Sequence, residues 1–167
     1  MSLYVGIPIM LIGVVLQSVW LERVEILGGR PDLVLLLVVT WAIIRGLNEG
    51  MAWGWVGGLL CDALSGGPMG LWTVSLVIVA FLAGQPWVQT LGPTSIRLAL
   101  MSAVGTLVGH TVFLSLLGLL GYPMDLGWAY ATVVGPAALL NFILSPFSFA
   151  FLVWFHRRSS GAGGIGV

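Results

Sequence analysis

The sequence predicts an all-α fold, a polytopic membrane helix bundle of about six transmembrane helices. Three observations carry that expectation. Of 167 residues 59% are hydrophobic and only 7% charged, and the mean hydropathy is +1.08, far outside the composition of a soluble domain. Apolar stretches of span length follow one another with only short polar breaks between them. Arginine is distributed unevenly over those breaks, as orientation in a bilayer requires. Nearly the whole chain goes into spans, so residues 1–157 read as one membrane domain and 158–167 as a disordered cytoplasmic tail without apolar periodicity.

The first span is Met1 to Leu21. It lacks a basic leader and a small-x-small pattern before Glu22 and Arg23, so it reads as a retained helix rather than a cleaved signal. Further spans follow at Pro31 to Gly46, Leu47 to Leu64, Met69 to Leu91, Ile96 to Gly121 and Trp128 to Phe155. The second and third are short for roughly 30 Å of hydrocarbon. In the fourth, Gln85 and Pro86 predict a kink, while Ala80 and Gly84 form a small pair suited to close packing. Tyr122 to Gly127 reads as a loop. The last helix then starts along the membrane surface at Trp128 and Tyr130, aromatic residues that favour the interface, and is interrupted by Pro136 and Pro146.

Charge tests this arrangement. With both termini inside, the cytoplasmic side holds Arg45, Arg97, Arg157 and Arg158 against Glu49 alone, and His156 joins that end. The other side holds Arg23 and Arg30 against Glu22, Glu25, Asp32, Asp62 and Asp125. Basic residues are thus concentrated inside, which favours an even number of spans.

The stretch Asn48 to Pro68 concentrates the candidate residues. Gly50, Gly54, Gly58 and Asp62 recur every fourth position, a spacing that puts bare backbone and one carboxylate on one helix face. Small residues at this spacing let another helix approach closely, either within the bundle or from a partner. Depth separates the members. Arg45 and Glu49 sit at the cytoplasmic turn, where they either pair or point into water and headgroups. Asp62 lies roughly 25 Å further along the helix, at the external end. Its available partners are Arg23 and Arg30 or backbone donors in the following S-G-G-P turn. His110, beside the second G-x-x-x-G of Gly105 and Gly109, is expected to hydrogen-bond across helices, as are Gln17 and Asn141. Cys61 excludes an internal disulfide and reads as a packing residue.

Several chemistries lack their parts. Lysine is absent and no basic run occurs, which removes support for nucleic-acid binding or a polybasic lipid patch. No serine or threonine sits in a motif with a matching histidine and acid. S-G-G-P-M-G has glycines without the lysine of a phosphate loop. No metal-ligand cluster and no cofactor motif is present, and nearly all charge lies at span ends rather than the midplane, unlike an ion-coupled pump. The reading is of a membrane protein that is not an enzyme.

Two segments carry a family resemblance. P-D-L-V-L-L-L-V-V-T-W-A-I-I-R-G at Pro31 to Gly46 and G-G-L-L-C-D-A-L-S-G-G-P-M-G-L-W at Gly57 to Trp72 resemble the bacterial rod shape-determining MreD family. The likeness falls on Gly58, Leu59, Leu60, Asp62, Ser65, Gly66, Pro68, Gly70 and Leu71, with Pro31, Asp32 and Arg45 upstream. Beyond Leu91 it lies in hydropathy and length. The resemblance implies a non-enzymatic adaptor of the cell-elongation complex in the bacterial inner membrane. Its implied partners are an MreC-like single-span protein and, through the complex, MreB, a RodA-type glycosyltransferase and a class B penicillin-binding protein, besides membrane lipids. The family fold is similar to the S-components of energy-coupling-factor transporters, which implies a vitamin-binding membrane subunit as the alternative.

Overall fold

The computed structural model describes residues 3–19, 28–123 and 125–161. Among them lie six helices in one bundle. These are α1 (Leu3–Val19), α2 (Leu33–Arg45), α3 (Leu47–Ser65), α4 (Leu71–Ala83), α5 (Thr94–Leu119) and α6, which opens at Leu126–Ala129, passes through a π turn at Tyr130–Val134 and continues over Gly135–Gly161.

The bundle is wound around α2. This helix is buried at ten consecutive positions from Val34 to Ile43. It touches α1, α3, α4, α5 and α6. Trp41 stacks on Trp53 of α3 with ring centroids 4.6 Å apart. The two ends are closed locally. Asp32 caps the start by accepting the Leu35 N–H at 2.9 Å, and Gly46, at φ 87° and ψ −174°, takes a conformation in practice open only to glycine and turns the chain directly into α3. The outward surfaces of α1, α5 and α6 remain apolar, with Ile12, Leu107 and Ile143 among the exposed side chains.

The helices differ in length from the expected spans. Two are long and apolar enough to cross a membrane unaided, Thr94–Leu119 and Leu126–Trp154. The 13 residues of α2 reach only about 20 Å, because its caps stop it. The expected fourth span, Met69 to Leu91, does not kink at Pro86 but ends there: α4 stops at Ala83, and Pro86, which lacks an N–H, opens a separate 3₁₀ turn over Pro86–Thr90. In α6 the two prolines act differently. Pro136 follows the π turn, where Gly135 N–H reaches back five residues to the Tyr130 carbonyl, a widening that relieves the clash between a proline ring and the carbonyl four residues earlier. Pro146 lies inside the continuing helix. The helix runs on to Gly161, past the expected boundary at 157, and residues 162–167 lie outside the described part.

The glycine face of α3 is covered from within. A Cβ on Gly50 would stand 2.5 Å from the Ala42 Cβ of α2, one on Gly54 2.8 Å from the Leu76 carbonyl oxygen of α4, and one on Gly58 2.3 Å from the Thr73 Cα of α4. The three glycines therefore serve two neighbours, α2 at one end and α4 along the rest, and all are buried.

Candidate functional site

The corner between α3 and α4 is built on Asp62. The side chain sits in the last turn of α3 and is 2% exposed. It lies far from the Arg45 end of the helix, and Arg23 lies outside the described residues. Its partners are four donors at the start of α4. Oδ2 accepts the Gly70 N–H at 2.9 Å, the Thr73 N–H at 3.1 Å and the Thr73 hydroxyl at 2.6 Å, while Oδ1 accepts the Trp72 N–H at 2.9 Å. The first N–H groups of a helix have no partner within it. Here one carboxylate from the preceding helix supplies them, and its charge faces the positive end of the α4 dipole.

The intervening loop is shaped to bring Asp62 there. Ser65 donates its hydroxyl to the Asp62 carbonyl at 3.1 Å and accepts the Gly67 N–H at 3.3 Å. Gly66 ends α3 at φ 64° and Gly70 precedes α4 at φ 98°, both in the left-handed region that side chains disfavour. Pro68 and Met69 form the tip, and Met69 is 77% exposed. The corner is thus a fixed backbone shape with an apolar side chain on its point.

At the opposite end of α3, Arg45 and Glu49 form a two-point ion pair, with Nη2 to Oε1 at 2.9 Å and Nε to Oε2 at 3.1 Å. Glu49 Oε2 also accepts the Trp41 indole N–H at 3.2 Å. The pair staples the α2–α3 turn around Gly46.

A polar chain ties the centre together. Asn141 of α6 accepts the Asp32 N–H at 2.9 Å and donates to the Thr106 hydroxyl of α5 at 2.9 Å, and Thr106 in turn donates to the Ser102 carbonyl at 2.7 Å. Gln17 of α1 accepts the Val34 N–H at 3.0 Å. These two residues join helices as their type and placement predict. His110 does not: its Nδ1 lies 2.9 Å from the Thr106 carbonyl of its own helix, the nearest acceptor one turn back, and its ring meets Trp72 edge-on at 6.0 Å. Trp72 and Asp32 were not predicted as members of a common site, and no local spacing signals it. Yet Gln17, Asp32, Trp72 and His110 line one cleft of about 200 Å³ beside the Asp62 corner.

Cys61 is buried and takes no part in either cluster. Among the described residues no group of three or more His, Cys, Asp or Glu is placed to hold a metal ion. The arrangement positions backbone and surface. The family model for rod shape-determining protein MreD matches residues 1–157. The chain belongs to the MreD family. Among curated proteins and among solved structures none matches it. MreD proteins are non-enzymatic membrane components of the rod-shape system. In this MreD chain the residues of the resemblance acquire structural work: Gly58 admits α4, Asp62 caps it, Ser65, Gly66 and Gly70 shape the turn, and Asp32 and Arg45 mark the two ends of α2.

Proposed function

We propose that this chain is a multi-pass adaptor of the bacterial inner membrane, with both termini cytoplasmic, that binds an MreC-like single-span protein. Through that protein it supports peptidoglycan synthesis by a RodA-type glycosyltransferase and class B penicillin-binding protein, and coordination with MreB. The family match over residues 1–157 carries the reading. As its location we take the Asp62 to Gly70 corner, a reading supported by a turn held by four hydrogen bonds to one carboxylate, by the exposed Met69 at its point, and by charge placement that favours an external position. A partner surface there needs no rearrangement of the bundle.

Co-expression with an MreC-like protein and purification in detergent through a tag on this chain tests the reading. The partner is expected to co-elute as a stable complex, and its absence while both chains are folded would overturn the adaptor role. Met69→Asp tests the corner separately, since the Met69 side chain is exposed and makes none of the four hydrogen bonds that hold the turn. Loss of the partner with an unchanged unfolding temperature supports the corner, and full retention moves the contact elsewhere.

A further inference from the structure

Asp32 lies deeper than its place at the start of α2 suggests. Asn141 joins its N–H to the Thr106 hydroxyl, and Thr106 stands midway along Thr94–Leu119, so the carboxylate sits at the depth of the middle of α5. The residue is 5% exposed. An ionisable side chain buried at such depth is costly unless paired, and in membrane bundles it marks a pathway or a binding site. Asp32 is only half used: Oδ1 accepts the Leu35 N–H, and the start of α2 supports the charge in part. Among the described residues no cationic side chain pairs with it and its Oδ2 accepts no hydrogen bond. It lines a cleft of about 200 Å³ with Gln17, His110, Val133 and Ala137. Val133 belongs to the π turn of α6, a widening found mostly where helices serve a site. Arg30, which is exposed and already has a partner, takes no part.

The His110 tautomer follows from its neighbour. The Thr106 carbonyl can only accept, so Nδ1, 2.9 Å away, carries the proton of the neutral ring. Nε2 is left as an acceptor, and among the described residues nothing donates to it. Two residues that line the cleft thus each keep an unused acceptor, one of them charged. That pair selects a cation with N–H donors. An anion is repelled by Asp32, a metal ion lacks a third side-chain ligand among the described residues, and a quaternary ammonium has no N–H to give. The volume is below the ~300–1,000 Å³ of drug-sized pockets, so the occupant is a group of a few heavy atoms. We propose that this cleft binds a small primary ammonium group, which donates one N–H to Asp32 Oδ2, a charge-assisted bond of the strong kind, and another to His110 Nε2. A free alkylamine and the ammonium end of an ethanolamine phospholipid share this chemistry. The site is independent of the adaptor reading, because it uses no residue of the Met69 tip and its test contains no partner protein.

Full-length chain in maltoside detergent is titrated with n-butylammonium chloride while thermal unfolding is followed, with sodium chloride and tetramethylammonium chloride at equal concentration as references. A saturable rise in unfolding temperature with the primary amine alone assigns a free amine. Chain reconstituted in phosphatidylglycerol vesicles with or without phosphatidylethanolamine is extracted for native mass spectrometry, and retention of phosphatidylethanolamine over phosphatidylglycerol, without that rise, assigns the lipid ammonium. Asp32→Asn keeps the helix cap, since asparagine caps as well as aspartate, and is expected to abolish either signal. His110→Phe keeps a ring beside Trp72 and is expected to weaken binding about tenfold through the lost acceptor. An equal rise with tetramethylammonium or sodium, no rise and no lipid preference, or a signal unchanged in either variant would overturn the proposal.

Discussion

Asp62→Ala measures what the corner is worth. The substitution removes the acceptor for four donors, of which the Thr73 N–H and hydroxyl are buried and the Gly70 and Trp72 N–H groups partly so. A hydroxyl can rotate to another acceptor, but a backbone N–H cannot. Stranding the Thr73 N–H costs about 1–3 kcal/mol, and the two partly buried N–H groups, which water can reach, lose about 1 kcal/mol each. The sum is about 3–5 kcal/mol, which corresponds to opening of the α4 start roughly 10²- to 4 × 10³-fold more often. Hydrogen–deuterium exchange of the chain in detergent reads this directly. Residues 70–74 should lose protection by that factor, while the α2 core at 34–43 changes little. Asp62→Asn is the discriminating control. With its oxygen at the Oδ2 position it still accepts three of the four donors, and its amide faces only the Trp72 N–H, so it should cost about 1–2 kcal/mol. Equal loss in both variants, or protection at 70–74 within threefold of the parent in Asp62→Ala, would refute the capping account.

Gly58→Ala should destabilise the bundle by about 2–4 kcal/mol in thermal or denaturant unfolding, because its Cβ would lie 2.3 Å from the Thr73 backbone and backbone cannot step aside as a side chain can. Gly118→Ala is its control: that helical glycine has open space around it, so the same change should be neutral or stabilising by up to about 1 kcal/mol. Glu49→Gln keeps an acceptor for Trp41 and loses the ion pair with Arg45, whose side chains are 38% and 39% exposed. Its cost should stay under about 1 kcal/mol and shrink as salt is added. Asn141→Leu should lower the unfolding midpoint more than Gln17→Leu, since the Asp32 N–H it strands is buried whereas the Val34 N–H that Gln17 serves is only partly so.

What could be read from the chain alone divides by sequence distance. That α2 is central was not legible from its apolar run, because α1 and α4 are apolar on every side as well and hydrocarbon can cover such a helix as readily as protein can. Asp62 and its donors lie within eleven residues of one another, so a local partner was legible beside the arginines, but the sequence pointed to the S-G-G-P backbone whereas the donors are Gly70, Trp72 and Thr73 just beyond it. Helix lengths were not legible from hydropathy, because capping and proline set them: Gly46 and Pro86 cut apolar runs that composition alone would continue. The Asn141 contact with Asp32 spans 109 residues, and the cleft draws on five helical neighbourhoods, so neither leaves a periodic trace. The same division explains why the G-L-L-x-D-x-x-S-G-x-P-x-G-L stretch could carry the family resemblance by itself. It is one self-contained device, in which glycine admits the next helix, aspartate caps it, and two left-handed glycines close the turn between them. Each part fixes the position of the next, so a change at Gly58 acts on the Asp62 cap through Thr73, whose backbone both residues touch. The two sites are therefore coupled, and the double variant Gly58→Ala, Asp62→Ala should cost less than the sum of its single changes.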